Sequence, residues 1–252
     1  MKVLICGYGR MGKEVEKILH QRGHEIAARV DPAPGLGDQS EITEDLLSGV
    51  DAVIEFSLAE GVVDNARMYA ASGTPAVVGT TGWTDHVDEV RRLVSQHESA
   101  YLRGSNFSIG ANLFMTIVAQ ASAMIQPFGD YDIMVHEYHH KFKKDSPSGT
   151  ARSIAEKILE NLKRKTTVVT DALQREIKPE ELHVSSTRGG SIPGIHRVTM
   201  DSPADTIEIS HSARNRSGFA TGAVLAAEWL QGKTGFYTVD DFIDDVLKRG
   251  EV

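Results

Sequence analysis

The sequence has a single cysteine and no apolar run near the ~20 residues that a membrane-spanning helix needs. One cysteine excludes an internal disulfide and is typical of a reducing compartment. Cys6 lies inside the first apolar run, which favours a buried strand residue over a reactive thiol. Residues 1–7 are interrupted by glycine too early for a signal peptide. We therefore expect a cytoplasmic protein that does not insert into a membrane.

Positive charge is scarce as well, since 27 Lys and Arg residues face 35 Asp and Glu residues, a formal net charge of -8. A nucleic-acid partner is therefore disfavoured, because phosphate binding needs a positive surface. An anionic small molecule can still bind where basic residues are concentrated locally. The 252 residues, 40% hydrophobic and 25% charged, have ordinary globular composition and suffice for one large domain or two small ones.

The first hundred residues alternate between short apolar runs and helical patterns. Strands are predicted over residues 3–6, 25–30, 51–56 and 75–79. Helices are predicted over residues 11–22 and 59–72, with a further one ending near residue 94. This alternation predicts a parallel sheet with right-handed crossover connections.

After residue 105 the pattern changes to mixed α and β. Helices are predicted over residues 110–125, 149–164, 221–230 and 239–248, and strands over 132–136, 167–169, 182–186, 196–200 and 206–210. The last two strands alternate polar and apolar residues, as antiparallel strands with one solvated face do. We predict an α/β chain with a Rossmann dinucleotide-binding domain over residues 1–105 plus 217–252. The predicted insert over residues 106–216 is an α+β domain.

A glycine-rich turn follows the first predicted strand and has the pattern G-x-G-x-x-G over residues 7–12. The pattern alone is weak, but here a strand precedes it, a helix follows it, and Asp31 lies nineteen positions beyond Gly12. Gly7 permits the tight turn, Gly9 lets the backbone approach a pyrophosphate, and Gly12 allows close helix–strand packing. The predicted cofactor turn consists of Gly7, Tyr8, Gly9, Arg10, Met11 and Gly12.

Asp31, at the end of the second strand, can accept hydrogen bonds from the hydroxyls of an adenosine ribose and would repel a 2′-phosphate. Pro32 follows it, so no arginine is next in the chain. The cofactor is therefore expected to be NADH and/or NADPH, with NADH favoured. Arg10 could still reach a 2′-phosphate, which keeps NADPH open.

Residues 136–150 form a dense polar stretch with two histidines and three lysines over residues 139–144 of an acidic chain. The stretch ends in Ser148, Gly149 and Thr150 at a predicted helix start, where free N–H groups and hydroxyls favour an anion. A lysine adds point charge for a carboxylate, and a histidine can transfer a proton near neutral pH. Together these features suit reduction of a carboxylated imine.

Two other interpretations of the stretch stay open: a solvated basic loop, or a metal site through His136, Glu137 and His139. The spacing is not H-E-x-x-H, and the neighbouring lysines would repel a bound cation. We therefore expect no metal.

The same stretch resembles the signature of the 4-hydroxy-tetrahydrodipicolinate reductase (dihydrodipicolinate reductase) family of lysine biosynthesis. The family pattern E-x-H-H-x-x-K-x-D-x-P-S-G-T matches residues 137–150 in spacing throughout. Further matches, spread over nearly the whole chain, lie at residues 7–12, 55–57, 78–82, 106–110, 188–190 and 216–223.

The resemblance implies roles for individual residues. His139 would be the acid–base histidine and Lys143 the proton donor. The substrate carboxylates would be held by His140, Lys143, Ser148, Gly149 and Thr150, with Thr81 also on the substrate side. Besides the glycine-rich turn and Asp31, the cofactor would contact Phe56, Gly79, Thr80, Thr81, Asn106, Phe107 and Arg216. Without the resemblance, Phe107 would more often be core and Arg216 a surface ion pair.

The implied reaction is hydride transfer from NAD(P)H to 4-hydroxy-tetrahydrodipicolinate, a small cyclic dicarboxylate, with loss of water. The product, tetrahydrodipicolinate, belongs to the diaminopimelate route to lysine. The resemblance also implies a homotetramer assembled through the sheet of the insert, so that residues 106–216 would be the substrate-binding and oligomerisation domain. Two departures stand out: Glu55 replaces a frequent aspartate, and Pro32 replaces a basic residue, which disfavours a strong NADPH preference. A different Rossmann reductase and a non-catalytic nicotinamide sensor are the competing hypotheses.

Overall fold

A computed structural model describes residues 1–250, which form two compact units. Unit 1 comprises Met1–Ile109 and the segment that begins at Arg216, and unit 2 comprises Gly110–Asn215. The last two residues of the segment predicted as 217–252 lie outside the described residues. None of the helices in residues 1–250 has the length and apolarity that crossing a bilayer requires.

Unit 1 is built on a six-stranded sheet in which every neighbouring pair is parallel, with the strand order β11-β5-β4-β3-β1-β2. Its strands are β1 (Lys2–Cys6), β2 (Glu25–Val30), β3 (Ala52–Glu55), β4 (Ala76–Val78), β5 (Ala100–Arg103) and β11 (Gly235–Thr238). Its helices are α1 (Arg10–Gln21), α2 (Glu44–Leu47), α3 (Val62–Ser72), α4 (Val87–Gln96), α7 (Ser217–Trp229) and α8 (Val239–Arg249). The parallel α/β architecture predicted for this part is confirmed.

The core of unit 1 covers both faces of the sheet, because alternate residues of a strand point to opposite sides. Val3 and Ile5 of β1 pack with α1 and α7, whereas Leu4 and Cys6 pack with α3. Burial raises the pKa of the Cys6 thiol, with the charge of Glu55 adding to the effect. Cys6 is therefore a buried, protonated strand residue, as predicted.

Unit 2 contains a mixed five-stranded sheet with the strand order β10-β9-β6-β8-β7. Its strands are β6 (Asp132–His139), β7 (Thr167–Val169), β8 (Glu181–Arg188), β9 (Ile195–Asp201) and β10 (Thr206–Ser212). Helix α6 (Gly149–Asn161) and most of α5 (Ile109–Ile125) belong to this unit and pack on one face of the sheet. Strand β6 runs parallel to β8 and antiparallel to β9.

The structure corrects several predicted boundaries. Strand β6 continues to His139 instead of ending at residue 136, so the first three residues of the expected polar loop, 137–139, are strand. Helix α6 ends at Asn161, and residues 59–61 form a 3-10 turn ahead of α3. Strands β5 and β11 and helix α2 were not predicted.

Candidate active site

The glycine-rich turn joins β1 to α1 within unit 1. Gly7 has φ +86°, and a Cβ there would lie 2.2 Å from the carbonyl oxygen of Phe56. At Gly12 a Cβ would lie 2.2 Å from the carbonyl oxygen of Gly7, whereas at Gly9 a Cβ would meet nothing within 4 Å. Gly9 is also the N-cap of α1 and gives the helix no side-chain hydrogen bond. The turn is sterically restricted at two glycines and open at the third, where an anion can approach the helix N-terminus.

Asp31 is tied to this turn through its carboxylate. Oδ2 accepts a hydrogen bond from Tyr8 N at 2.7 Å, and Oδ1 accepts one from Ala33 N at 2.9 Å. Each carboxylate oxygen has two lone-pair directions, so both retain capacity for a ribose hydroxyl. Asp31 therefore stands beside the turn as expected, with its orientation set by two backbone groups.

Arg29, two residues before Asp31 and near the end of β2, is already engaged. Its guanidinium hydrogen-bonds to Glu16, lies 3.0 Å from Oδ2 of Asp38, and sits 5.6 Å from the centroid of the Tyr8 ring. Arg29 is consequently occupied by two carboxylates, whereas Arg10 is exposed at the first position of α1.

The expected nicotinamide side is built at the carboxyl ends of β3, β4 and β5. A Cβ at Gly79 would lie 2.1 Å from the Phe56 ring, so glycine is needed there. Thr80 is buried, and its hydroxyl accepts a hydrogen bond from Ser57 N at 2.8 Å. Phe107 is only 2% exposed and packs edge to face with Phe56 at 6.1 Å.

The remaining expected residues of unit 1 differ in exposure. Oδ1 of Asn106 accepts a hydrogen bond from Ser108 N at 2.9 Å, which shapes the turn before α5. Thr81 and Arg216 are exposed, and Arg216 is the N-cap residue of α7.

Strand β6 of unit 2 carries the histidines of the polar stretch on opposite faces. Val135, Glu137 and His139 lie on the buried face. His136 lies on the other face, where Nδ1 is 2.6 Å from the hydroxyl of Ser185. Because side chains of a strand alternate, the metal triad of His136, Glu137 and His139 considered above is not brought together.

Glu137 is completely buried and forms the centre of a hydrogen-bond cluster. Oε1 accepts from Ser148 N at 2.9 Å, from the Ser186 hydroxyl at 2.8 Å and from Nη2 of Arg188 at 2.8 Å. Oε2 accepts from the Ser148 hydroxyl and lies 3.5 Å from Nε2 of His196. Burial alone would raise the pKa of Glu137, but these hydrogen bonds hold it well below its usual range.

His139 lies beside this carboxylate and is 6% exposed. Nδ1 is 3.2 Å from Oε2 of Glu137, although the angle is not that of a hydrogen bond. Burial lowers the pKa of His139 to about 4, opposed by Glu137 and assisted by the charges of His196, Lys143 and Arg188. His139 is therefore neutral at pH 7 in the ligand-free protein.

Lys143 and Asp145 form an ion pair in the loop that follows β6. Nζ of Lys143 lies 2.9 Å from Oδ1 of Asp145, and their side chains are 24% and 51% exposed. This contact lowers the pKa of Asp145, and the backbone N–H of Gly149 acts in the same direction. Asp145 thus lies at the cationic groups that were expected to hold a substrate carboxylate.

Residues 148–150 start helix α6 as predicted. Ser148 is the N-cap, and its hydroxyl accepts from Ala151 N at 3.2 Å while donating to Glu137. Since Ser148 N also donates to Glu137, both the N–H and the hydroxyl of Ser148 are bound to a buried carboxylate of the protein. Gly149 is exposed, and a Cβ there would meet nothing within 4 Å. His140 is half-buried, and its backbone N–H donates to the backbone carbonyl of Ile192 at 2.8 Å.

A different set of possible metal ligands, Glu137, His139 and His196, lies within 4.8 Å of one another. Arg188 and Ser186 already occupy the other oxygen of Glu137. The cluster is accounted for as a hydrogen-bonded one, and the absence of a metal stays a prediction.

The family model described as Dihydrodipicolinate reductase, N-terminus, matches residues 1–107, and that described as Dihydrodipicolinate reductase, C-terminus, matches residues 110–243. The chain belongs to the dihydrodipicolinate reductase family. The resemblance drawn from residues 137–150 is thereby confirmed, and the chain is a reductase.

Relatives of similar length are named 4-hydroxy-tetrahydrodipicolinate reductase. The protein from Christiangramia forsetii is 37% identical over 250 residues, covering 99% of this chain and 100% of the relative. The protein from Archaeoglobus fulgidus is 36% identical over 263 residues, covering 97% of this chain and 100% of the relative.

Solved structures share the fold. A dipicolinate-bound dihydrodipicolinate reductase from Paenisporosarcina sp. TG-14 has a TM-score of 0.75 at 20% identity, covering 94% of this chain and 97% of that chain. An amine dehydrogenase from Mycobacterium smegmatis has a TM-score of 0.61 at 13% identity, with 95% of each chain covered. The predicted fold class is therefore confirmed.

His196 and Ser186 have no role in the site predicted from the sequence, and Glu137 is predicted there only as a possible metal ligand. The register of the sheet places Glu137 directly opposite His196 on β9 and Ser186 on β8. The available signal was a glutamate in phase with Ile133 and Val135, at a position where a strand would place an apolar residue. Ending the predicted strand at residue 136 hid that signal.

Proposed function

We propose that this reductase converts 4-hydroxy-tetrahydrodipicolinate to tetrahydrodipicolinate with loss of water, in the diaminopimelate route to lysine. Membership of the dihydrodipicolinate reductase family supports the substrate. The observation that carries the proposal is the contact of His139 and the start of α6 with one buried carboxylate, Glu137, with Lys143 near enough to act electrostatically on His139. A cyclic dicarboxylate needs cationic groups for its carboxylates and a nearby proton donor.

The residues of unit 1 fit a nicotinamide dinucleotide. The uncapped N-terminus of α1 and the open space over Gly9 suit a pyrophosphate, and Asp31 suits a ribose hydroxyl. Bound reduced nicotinamide supplies the hydride of the reaction. We favour NADH over NADPH, because Asp31 is anionic and Arg29 is held by Glu16 and Asp38.

The remaining cofactor contacts are proposed from the family. On the nicotinamide side, the proposed contacts are Phe56, Gly79, Thr80, Thr81, Asn106, Phe107 and Arg216. Phe56 and Phe107 act through their packing. Tyr8 and Met11 line the turn, and Arg10 is the exposed cation able to meet a 2′-phosphate.

The substrate carboxylates are proposed to bind at Lys143, His140, Gly149 and Thr150. Ser148 contributes indirectly, since its hydroxyl and N–H both donate to Glu137 and so fix the start of α6. A carboxylate arriving at Lys143 replaces Asp145, which occupies the same cationic groups in the ligand-free protein.

Lys143 is proposed as the proton donor. Its ammonium group lies in the loop after β6 and acts electrostatically on His139. His139 is neutral at pH 7 because it is buried, so it first accepts a hydrogen bond or proton. Two substrate carboxylates would raise its pKa by adding negative charge.

We further propose a cytoplasmic homotetramer assembled through the unit 2 sheet. Helices α5 and α6 pack on the face that carries Ile133 and Val135. The opposite face carries the exposed Met134 and half-buried Tyr138. Light scattering of the purified protein tests the tetramer.

A coupled assay tests the reaction. A dihydrodipicolinate synthase generates the unstable substrate, and loss of reduced-nicotinamide absorbance is followed with NADH and NADPH separately. The variant Lys143→Ala should lose about 10²-fold or more in kcat, the range for a positioned acid. Lys144→Ala, one residue away and exposed, is the matched control and should keep its rate.

The outcomes separate the possibilities. Substrate-dependent oxidation that collapses only in Lys143→Ala supports the reaction and the role of the loop. Binding of dinucleotide without oxidation by either cofactor would contradict the substrate assignment while leaving unit 1 as a cofactor domain. A higher rate with NADPH would contradict the assigned preference.

A further inference from the structure

Glu137 has no assigned role in the reaction, yet it is the most heavily hydrogen-bonded carboxylate in unit 2 that the described residues contain. We propose that Glu137 is a positioning residue that selects the tautomer of His139, placing the ring proton on Nδ1 and leaving Nε2 as the basic atom. The consequence for catalysis rests on the proposed function of His139, whereas the tautomer itself does not.

The first step is that Glu137 only accepts hydrogen bonds. Three donors converge on Oε1: the N–H of Ser148, the hydroxyl of Ser186 and the guanidinium of Arg188. Arginine remains charged at every relevant pH, so it favours the ionised carboxylate. An ionised carboxylate has no proton to donate to a neighbouring imidazole.

The other carboxylate oxygen of Glu137, Oε2, faces two imidazoles. Nδ1 of His139 lies 3.2 Å from Oε2, and Nε2 of His196 lies 3.5 Å from the same oxygen. If Nδ1 of His139 carried a lone pair, that lone pair would face a negative oxygen inside the protein. An N–H at Nδ1 instead directs its positive end at Oε2, an attraction that persists even at an imperfect hydrogen-bond angle.

The opposite side of the His139 ring carries the other nitrogen, Nε2. Nε2 lies beside Gly194, where an added Cβ would come within 3.0 Å of it. A residue without a side chain therefore borders the nitrogen that the proposed tautomer leaves basic. This nitrogen is the one able to accept a hydrogen bond or proton from a ligand.

The second histidine strengthens the selection. His196 is 5% exposed, and its ring centroid lies 5.2 Å from that of His139. An N–H on Nε2 of His196 can donate towards Oε2 of Glu137, whereas a lone pair there would be repelled. Both imidazoles are thus oriented by one carboxylate, in the way that carboxylates orient histidines in other enzymes.

The test is ¹⁵N-histidine NMR of the full ligand-free chain near pH 7, with the His139 signals assigned by loss in His139→Gln. We expect the Nδ1–H form in the native protein and a shift towards Nε2–H in Glu137→Gln, whose amide can donate. Glu181→Gln is the matched control, because Glu181 is also a buried carboxylate on this sheet, bound by Arg175 at 2.7 Å. It should leave the His139 spectrum unchanged.

Glu137→Asp keeps the negative charge on a shorter side chain and should restore the Nδ1–H form at least in part. An Nε2–H form in the native protein would overturn the proposal, and this measurement needs no variant of Glu137 to fold. An unchanged tautomer in folded Glu137→Gln would overturn it equally.

Kinetics then connect the tautomer to the reaction. We expect kcat of Glu137→Gln to fall about 10²-fold or more, because a misplaced ring proton disables acid–base catalysis. Glu181→Gln should retain its kcat. If the native protein shows the Nδ1–H form yet no activity on the substrate, the proposed function fails while the positioning by Glu137 stands.

Discussion

A Cβ added to Gly12 would lie 2.2 Å from the carbonyl oxygen of Gly7, so the first helix of unit 1 packs directly against the turn that precedes it. No rotamer change relieves a contact between a Cβ and backbone. The turn and the helix N-terminus can therefore keep their positions only with glycine at residue 12.

This contact predicts different outcomes for two glycines of the same motif. Gly12→Ala should destabilise the protein by a few kcal/mol, about 1–3 for an overpacked site, and weaken dinucleotide binding as well. Gly9→Ala has room for its methyl group and φ −75°, so it should fold normally and lose dinucleotide affinity alone. Urea unfolding and calorimetric titration with NADH measure both effects. Equal stability of the two variants would contradict the steric argument.

The ion pair of Lys143 with Asp145 predicts a gain in anion affinity. Asp145→Asn removes the carboxylate that neutralises Lys143 and the start of α6. Dipicolinate should then bind more tightly, by a fewfold, as expected from about 1 kcal/mol for a partly exposed charge. The difference should shrink in high salt. Asp38→Asn, an equally exposed and ion-paired aspartate in unit 1, is the control and should leave dipicolinate affinity unchanged.

Burial of His139 predicts a loss of stability in acid. Its pKa is about 4 in the folded protein against an ordinary value of 6.5, so the unfolded chain binds the extra proton first. The unfolding free energy should therefore fall as pH drops from about 6.5 towards 4, by up to about 3 kcal/mol from this group.

Urea unfolding of the native protein and of His139→Gln, at neutral pH and near pH 4, checks this expectation. The variant should lack this component, so the stability difference between the two proteins should change with pH. A pH-independent difference would mean that His139 titrates normally in the folded state. In a parallel NMR titration, dipicolinate should raise the pKa of His139.

Because Glu55 of unit 1 is buried, removing a hydrogen-bond donor to its carboxylate should lower the free energy of unfolding. Tyr69 donates its hydroxyl to Oε2 of Glu55 at 2.9 Å, while Asn65 donates to Oε1 at 3.0 Å. Burial raises the pKa of Glu55, although hydrogen bonds from the side chains of Ser57, Asn65 and Tyr69 act in the opposite direction. Tyr69→Phe leaves Oε2 without its donor and should cost about 1–3 kcal/mol of unfolding free energy.

Tyr237→Phe is the matched control, because the Tyr237 hydroxyl donates to the carbonyl of Thr234 in a more exposed place. It should cost less than half as much in the same urea experiment. Comparable losses for the two variants would show that the Glu55 contact is worth no more than a surface hydrogen bond.

Much of unit 1 was predictable because its signals are local. The run from residue 3 to Cys6, the glycines after it and the helical spacing beyond are read within a few residues of one another. Strands β5 and β11, which pair with each other from distant parts of the chain, escaped prediction. Backbone pairing between distant segments leaves little trace in either segment.

The sequence alone predicted a cofactor site at the glycine-rich turn and an anion site at residues 143–150, and through residues 137–150 it identified the family. These depend on residue types at short, fixed spacing. The tertiary structure was needed to show that Glu137 faces His196 and Ser186 and that His136 points away from them. It also shows that Asp145 forms an ion pair with Lys143. The register between strands far apart in sequence is set by packing of the whole sheet, and burial, which lowers the pKa of His139, exists only once that sheet has formed.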